Sequence, residues 1–224
     1  ADEVDPRIGR DPEVDDGQIR LLSPRELADL GFTLETVEAG VAGGRQDQYA
    51  AALGGFHRLG FRDDEVEVEP LALEPEFIDE LESRTLICYT GRSRMSGDTI
   101  SRVMDAYEQG DADVTGALVE LAGLADMMSA AMRAADLSLV GRLLTANWAC
   151  QRRLDAGICT AEMRALEQTM RSAGAIGGKA AGAGAGGVMF FVMTHDRVSA
   201  IEIAEACGAT VLHATYTQTG VETC

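Results

Sequence analysis

The chain has 224 residues, enough for one large domain or two small ones, and its 46% hydrophobic and 25% charged content is ordinary for a globular protein. Its formal net charge of −18 disfavours a nucleic-acid or anionic-membrane surface, because the long-range field would repel both. An anionic small substrate is compatible with this charge, since a few local cations can govern a cleft.

The cysteines and histidines are scattered along the sequence. No C-x-x-C pair and no disulfide-framework spacing occurs, which predicts reduced thiols in a cytoplasmic protein. The isolated residues His57, His195 and His213 give no support for a zinc site, and no metal ligands are predicted. The sequence contains no signal-peptide pattern and no apolar stretch of about 18 residues, so no membrane span is expected.

The first elements are helical. Residues 1–20 are acidic and are expected to form a loop or frayed arm. The segment Ser23-Pro24-Arg25-Glu26 combines a hydroxyl cap, a proline at the first helical position and a glutamate at the third, which predicts a helix start. This helix is expected to reach about Ala39 and to bury one apolar stripe. The stripe consists of Leu27, Leu30, Leu34 and Val37.

A second helix is expected through Gln48–Leu53, followed by a Gly54-Gly55 break. Residues 56–61 and 66–73 are short strand candidates. The acidic stretch 74–84 is expected to lead into another domain, and Thr85–Thr90 is predicted to be a strand.

From about residue 98 the pattern is helical for nearly eighty residues. Two core-facing stripes are predicted, made of Leu118, Leu121, Ala125, Met128 and Met132 in one helix and Leu139, Leu143, Ala146, Ala149 and Leu154 in the next. The methionines are interpreted as core packing. A helix over 160–173, a glycine loop, a strand over 188–193, a helix over 196–207 and a strand over 210–217 follow. This order predicts an α+β fold with a mostly antiparallel sheet.

The run Gly177–Gly187 has six glycines in eleven residues, so its amides can approach a ligand closely. Gly182-x-Gly184-x-x-Gly187 matches the dinucleotide fingerprint, but that motif must follow a strand and open a helix, whereas here a helix is expected before it and a strand after it. The P-loop pattern fails because Ala180 follows Lys179 in place of Ser or Thr. Tight packing of small residues on a sheet is the structural alternative.

Two further segments carry polar chemistry. The first, residues 43–56, reads GGRQDQYAAALGGF and places Asp47 at a helix start, where the helix dipole favours the carboxylate; the residue either acts chemically or only caps its helix. The second, residues 90–96, reads TGRSRMS and follows a strand. Its hydroxyls and guanidinium suit a sugar or phosphate pocket, or a helix cap with a solvated arginine.

Together with Lys179–Gly187, these segments resemble the motifs of the GHMP small-molecule kinases, especially the branch that acts on heptose phosphates. The resemblance covers about residues 21–223, with three motifs in the family's order. It implies an α+β, GHMP-kinase-like fold. Residues 1–84 would be an incomplete N-terminal part similar to S5 domain 2, behind an acidic leading arm. Residues 85–224 would be a ferredoxin-like C-terminal domain with additional helices.

The resemblance also implies a reaction, the ATP- and Mg²⁺-dependent transfer of the γ-phosphate to a sugar hydroxyl, with Asp47 as the base. The implied substrate-binding residues are Arg45, Gln46, Gln48, Tyr49, Ser93, Arg94 and Ser96. The implied phosphate-binding residues are Lys179, Gly182, Ala183, Gly184, Ala185, Gly186 and Gly187. Gln46, Gln48 and Tyr49 could equally pack the cleft wall, and Lys179 could be a surface lysine.

One family motif has no counterpart. The main ATP loop, resembling P-x-G-x-G-L-S-S-S, is not found in residues 1–42. Three explanations stay open: a piece of a longer polypeptide, one chain of a split enzyme, or a naturally shortened protein that has lost ATP binding. The alternative function is therefore binding of a sugar phosphate or a partner chain without turnover. Apolar surface from residues 21–61 would be exposed, which predicts a homodimer or a complementing chain.

Overall fold

The computed structural model describes residues 21–63, 65–91 and 97–222. The predicted acidic arm over 1–20 lies outside these residues. The helices are α1 (Pro24–Thr33, continued by a π-helical turn over Leu34–Glu38), α2 (Gln46–Leu53), α3 (Pro75–Arg84), α4 (Gly97–Glu108), α5 (Ala112–Arg133), α6 (Leu137–Leu154), α7 (Ala161–Ser172) and α8 (Val198–Ala206). The strands are β1 (His57–Arg62), β2 (Glu65–Pro70), β3 (Thr85–Tyr89), β4 (Ala175–Ala180), β5 (Val188–Met193) and β6 (Thr210–Leu212).

Strands β3 to β6 form one sheet in the spatial order β4-β5-β3-β6, and every neighbouring pair is antiparallel. Along the chain these strands alternate with helices as strand, helices, strand, strand, helix, strand, which is the ferredoxin-like arrangement with extra helices inserted after β3. Strands β1 and β2 form a separate antiparallel hairpin. The predicted α+β fold with an antiparallel sheet is confirmed.

The sheet is buried on both faces, and β5 shows why. Met189, Phe191 and Met193 belong to a core cluster that also contains residues of α7 and α8. Phe190 and Val192 alternate with them and pack in a second cluster, built from α3, α5 and α6. A strand covered on both faces reads as a continuous apolar run, which is how this segment was predicted.

Helix α3 occupies the acidic stretch that was expected to lead into another domain. Its residues Phe77 and Leu81 are buried in the same cluster as the facing residues of α5 and α6. The carbonyls of Glu82 and Thr85 both accept hydrogen bonds from the Arg197 guanidinium. The domain boundary between residues 84 and 85 stays a prediction. It would separate α3 from β3, although both elements accept hydrogen bonds from Arg197.

The core face of the long helices was predicted only in part. Met132 and Leu143 are buried, and Met128 packs against the same cluster as a partly buried side chain. Ala125 and Ala149 are exposed, because the helices are turned to present other residues to the sheet. The buried apolar residues of α5 and α6 are Val114, Ala117, Ala131, Met132, Leu137, Val140, Leu143, Leu144, Trp148 and Cys150.

Helix α1 begins as the sequence predicts. The Ser23 hydroxyl accepts from the Glu26 amide at 3.3 Å, and the Glu26 carboxylate accepts from the Ser23 amide at 2.8 Å, which completes a capping box. The helix packs on α2 through Ala28 instead of through the predicted stripe. Leu30, Leu34 and Val37 are 43%, 52% and 60% exposed, so an apolar surface does lie open in this region.

The glycine run was predicted as one loop after a helix, and that is wrong for its first part. Residues 177–180 belong to β4, and the loop is confined to residues 181–187 between two antiparallel strands. Glycine is needed inside the strand because β4 lies directly against α6. A Cβ on Gly177 would stand 1.7 Å from the Gly141 carbonyl oxygen. The dinucleotide fingerprint still fails, since a strand follows it.

Strand β6 is shorter than the predicted 210–217. Its three residues, Thr210 to Leu212, pair with β3, and the pairing ends at Leu212. The chain after it leaves the sheet and runs to the end of α2, where the Gly55 amide donates to the Thr217 carbonyl at 2.9 Å. Because the Thr217 carbonyl bonds to the chain just after α2, it does not pair with β3, and β6 therefore ends earlier than predicted.

One helix among the described residues qualifies the expectation about membranes. Helix α5 has 22 residues, and an 18-residue window within it has a mean hydropathy of 1.3, so by length and composition alone it could cross a membrane. Core helices meet the same criterion. Helix α5 packs along α6, and its Glu120 and Asp126 pair with Arg153 and Arg58.

An ion pair ties α4 to the turn after α6. The Arg102 Nε donates to Asp155 Oδ2 at 2.8 Å, and Asp155 Oδ1 also accepts from the Gly157 amide at 2.8 Å. The Arg102 guanidinium, with the Gly157 amide, lowers the pKa of Asp155 against the opposing effect of burial. This turn carries Ile158, whose carbonyl contacts the glycine loop.

We expect Gly177→Ala to lower the free energy of unfolding by about 1–3 kcal/mol, because a strand and a helix backbone must separate to admit the methyl group. Chemical denaturation measures the change. Gly60→Ala is the matched strand control, since its nearest neighbour is the movable end of the Glu67 side chain at 3.3 Å. Equal stability of the two variants would contradict the close packing of β4 on α6.

We expect Asp155→Asn to cost about 1 kcal/mol at neutral pH, since it removes the charge but keeps an oxygen for the Gly157 amide. The folded-state pKa lies below the unfolded one, so the stabilisation is present above about pH 4 and is lost as the pH falls through the folded pKa. Denaturation from pH 7 to 3 should therefore show a shallower acid loss in this variant. Asp126→Asn, at a more exposed pair, should change the pH profile less. Parallel profiles for the parent chain and Asp155→Asn would count against the ion pair.

Candidate active site

Helix α2 places Asp47 in its first turn. The residue before the helix, Arg45, has a helical backbone conformation and makes no side-chain capping bond, so the first-turn amides and the helix dipole favour the exposed Asp47 carboxylate. The Arg45 guanidinium carbon lies 4.7 Å from the centre of the Phe32 ring. Gln46 is exposed beside Asp47. A carboxylate exposed to solvent at a helix start can accept a proton from a bound hydroxyl.

The next two predicted residues of α2 face α1. The Gln48 amide nitrogen donates to the Glu35 carboxylate, which leaves the Gln48 Oε1 buried and without a hydrogen-bond partner among the described residues. Tyr49 is buried, and its hydroxyl donates to Asp29 Oδ1 at 2.8 Å. Burial and the Asp29 carboxylate raise the pKa of Tyr49. Tyr49 thus holds α1 and α2 together, and the Gln48 Oε1 is a buried acceptor without a partner among the described residues.

The hairpin loop over 181–187 has an unusual backbone. Gly182, Gly184, Gly186 and Gly187 have φ angles of 70°, 85°, 120° and 79°, and Ala185 has φ 63°. A left-handed alanine is disfavoured and is kept only where its surroundings fix it. Successive amides in alternating right- and left-handed or turn conformations can form a concave site for anions. Among the described residues, the Ala185 amide is the one within 182–187 that donates to a protein acceptor.

Three elements fix this loop. The Ala185 amide donates to the Ile158 carbonyl at 2.7 Å, after α6. Gln151 Nε2, on α6, donates to the Gly182 carbonyl at 2.7 Å. The backbone amide and the hydroxyl of Thr90 both donate to the Gly187 carbonyl, at 2.9 and 2.8 Å. These bonds use the Ala185 amide and two loop carbonyls. They hold the loop in place without using its other amides.

Gln151 is only 7% exposed, and its Oε1 has no hydrogen-bond partner among the described residues. The Nε2 bond to Gly182 fixes which way the amide points. Buried polar atoms are almost always bonded, so an orphan acceptor next to an anion-type loop needs a donor from outside the described protein atoms.

Lys179 lies on β4 opposite Phe190, not in the loop. Its ammonium is 5.9 Å from the centre of the Phe190 ring, and burial lowers the pKa of Lys179. It is therefore a desolvated cation at the base of the hairpin. Lys179 stands two residues before the loop, so its role as a cation beside a phosphate-binding loop stays a prediction, and its burial disfavours the alternative of an exposed surface lysine.

The described contacts divide the predicted site into two groups. One is the α2 group, which contains Arg45 to Tyr49 and packs on α1. The other is the hairpin group, which contains Lys179 and the 182–187 loop. The predicted acceptor segment begins at Thr90, which touches the loop. Ser93, Arg94 and Ser96 lie outside the described residues.

Sequence reasoning missed Gln151 and Ile158 as contacts of the loop. Gln151 lies within an amphipathic helix with no motif around it, and Ile158 acts through its carbonyl, which no sequence pattern reports. The Asp155–Gly157 turn just before Ile158 is the one signal that could have marked this corner as ordered. In the described ranges, no group of three His, Cys, Asp or Glu residues stands where it could hold a metal ion.

The comparisons with known proteins agree with this geometry. Residues 128–213 match the family described as GHMP kinases C terminal. D-glycero-alpha-D-manno-heptose 7-phosphate kinase of Campylobacter jejuni is 32% identical over 171 residues, covering 76% of this chain and 50% of that protein. Mevalonate kinase of Pyrococcus horikoshii is 30% identical over 175 residues, covering 75% of this chain and 48% of that protein.

Among solved structures, a D-glycero-D-manno-heptose 1-phosphate kinase from Bacteriodes thetaiotaomicron superimposes with a TM-score of 0.60 and 27% identity, covering 89% of this chain and 54% of that one. The chain spans about half the length of these two curated relatives. The relatives are kinases, and the fold and the matched family agree. The chain therefore carries a GHMP kinase C-terminal domain, matched over residues 128–213.

Proposed function

We propose that this chain takes part in an ATP-dependent sugar kinase reaction, with a heptose-phosphate-like sugar as the acceptor. The observation that carries the proposal is the 182–187 loop, whose left-handed backbone is fixed by Thr90, Gln151 and Ile158. Phosphate groups bind well to such concave sets of amides. The names of the heptose phosphate kinases among the relatives support the acceptor class.

Asp47 is the proposed base. Its carboxylate would orient the sugar hydroxyl and accept its proton as the oxygen attacks the γ-phosphorus and the bond to the leaving ADP oxygen breaks. ATP with Mg²⁺ would supply the phosphoryl group. Arg45 would offset negative charge on the phosphate of the substrate.

Two buried side-chain acceptors near the predicted site residues have no hydrogen-bond partner among the described residues. Gln48 Oε1 lies on the helix of Asp47, and Gln151 Oε1 lies beside the hairpin loop. Sugar hydroxyls are donors, and leaving a buried acceptor unbonded costs about 1–3 kcal/mol. Both oxygens are buried, so a ring hydroxyl of a sugar phosphate would bond to either one only if that side chain turned outward. Ser93, Arg94 and Ser96 stay predicted substrate residues, as do Gln46 and Tyr49.

We expect Asp47→Asn to lower the rate of ADP formation by at least about 100-fold, because the proton of the attacking hydroxyl loses its acceptor. The measurement is ADP release from Mg-ATP with a panel of heptose and hexose phosphates. Asp113→Asn is the matched control, since Asp113 is also an exposed aspartate in the first turn of a helix. Absence of turnover above the Asp47→Asn level with every acceptor would exclude kinase activity in this chain.

The second candidate is a GHMP-fold protein that binds a sugar phosphate or a partner chain without turnover. It is favoured by the open apolar surface of α1, where Leu30, Leu34 and Val37 are exposed. A homodimer or a complementing chain would cover that surface. Both candidates are compatible with a cytoplasmic protein whose small-molecule partner is a sugar.

ATP binding separates the candidates. If the chain is a kinase, calorimetry should detect ATP binding that Gly184→Ala weakens about tenfold or more, because a Cβ there would stand 2.7 Å from Ile158 Cγ2 and displace the loop. Gly208→Ala is the matched control: Gly208 has φ +87°, close to the +85° of Gly184, but has nothing within 4 Å. Undetectable ATP binding, with sugar phosphate or a partner still bound, would favour the second candidate. ATP affinity that is equal in the two variants would remove the loop from the nucleotide site.

A further inference from the structure

The chain after β6 returns to the helix of Asp47. Residues 216–221, called the strap below, run along the end of α2 and the glycines that follow it. We infer that the strap is a positioning element for Asp47, acting through α2. This inference rests on the proposed role of Asp47 and goes beyond it, because it adds residues about 170 positions away to the machinery of the site.

Two backbone hydrogen bonds join the strap to α2. The Val221 amide donates to the Ala52 carbonyl at 3.1 Å, and the Gly55 amide donates to the Thr217 carbonyl at 2.9 Å. The last four carbonyls of a helix have no partner within the helix. The strap supplies one for Ala52, in the last turn of α2, and so serves as a cap from a distant part of the chain.

The approach is close enough to require glycine on both sides. A Cβ on Gly220 would stand 2.1 Å from the Ala52 carbonyl oxygen, and a Cβ on Gly54 would stand 2.2 Å from the Thr219 carbonyl carbon. Gly54 also has φ +63°, whereas Gly220 has no left-handed φ, so space alone restricts Gly220. Backbone contacts of this kind leave α2 little freedom to tilt.

The other end of the strap is anchored near the sheet. The Tyr216 amide donates to Glu82 Oε2 on α3 at 2.8 Å, and its ring lies 5.2 Å from that of Phe56. The Tyr216 hydroxyl is 3.1 Å from the Thr85 hydroxyl, at the start of β3. Since Thr85 donates its proton to the Leu81 carbonyl, Tyr216 is the donor in this pair. The strap therefore spans from β3 and α3 to α2.

The length of α2 makes this clamp relevant to Asp47. The helix has eight residues, about 12 Å, with Asp47 in its first turn and the strap at its last. A tilt at one end of so short a helix moves the other end by a comparable distance. A displacement of about 1 Å at a reacting group can cost about 100-fold in rate.

The test compares Gly220→Ala with Gly123→Ala, a glycine with nothing within 4 Å and no left-handed φ. Amide hydrogen exchange is followed in α2, where the Tyr49 and Gly54 amides donate to Arg45 and Ala50, and in α6 as reference. We expect exchange in α2 to accelerate at least tenfold in Gly220→Ala, with α6 unchanged. We expect kcat for ADP formation to fall about 10–100-fold while KM for ATP stays within twofold.

Unchanged exchange in α2, or an equal increase in α2 and α6, would overturn the inference whatever the activity. Failure of the proposed function would be recognised separately, because Asp47→Asn would then form ADP at the same rate as the parent chain. Amide exchange in α2 would still show whether the strap holds that helix.

A second pair of variants keeps the test valid if Gly220→Ala does not fold. The Thr217 hydroxyl donates to the Thr219 carbonyl at 3.0 Å and accepts from the Thr219 amide at 3.3 Å, which shapes the strap. Thr217→Val should accelerate exchange in α2 and lower kcat, and Thr217→Ser should restore both. Equal behaviour of the two substitutions would contradict the inference.

Discussion

The contact between β4 and α6 is the constraint on which most of this structure depends. Gly177 and Gly141 let a strand and a helix approach until no side chain fits between them, and the next strand residue, Gly178, lies as tightly against Phe191. This approach fixes β4 against β5 and brings α6 beside the hairpin. The Gln151 side chain of α6 can then reach the Gly182 carbonyl, so packing far from the loop determines the loop's shape.

The loop itself is held by its carbonyls and by one amide, and its other amides have no hydrogen-bond acceptor among the described residues. Gly182 and Gly187 use their carbonyls to bond Gln151 and Thr90. The left-handed Ala185 is the strained member, and its amide bond to the Ile158 carbonyl holds it. Strain held by a rigid surrounding structure is typical of a preorganised binding site, because the site does not have to reorganise when the ligand arrives.

The sequence predicted the elements that are determined by residues close together in the chain. The capping box at Ser23 and Glu26 and the apolar run of β5 depend on neighbouring residues, and both were confirmed. Strand β4 was missed because Ala175–Ala180 is rich in small residues with low strand propensity, and its pairing depends on α6 and β5. The stripe of α1 was placed in the core because periodicity identifies an apolar face but does not reveal what covers it.

In the candidate site too, the sequence predicts the features that depend on neighbouring residues and misses those that depend on distant contacts. The place of Asp47 in a first helical turn follows from the glycines before it and was predicted, although its catalytic role stays a prediction. Thr90, the first residue of the 90–96 segment, contacts the loop through the Gly187 carbonyl, and no local sequence pattern predicts this contact. The strap could not have been predicted, since its bonds to α2 are made by backbone atoms and only Gly54 and Gly220 mark them in the sequence.

The charge of the chain bears on the proposal that backbone amides bind an anion at this site. With 37 acidic residues against 19 basic ones, cations are scarce. Arginines on several elements already pair with carboxylates, namely Arg58, Arg84, Arg102, Arg133, Arg152, Arg153 and Arg171. Amides at a glycine loop and at a helix N-terminus attract an anion without a titrating group, and they cannot be neutralised by a neighbouring carboxylate. A protein this acidic can therefore recognise a phosphate by conformation, provided that rigid packing holds the loop open.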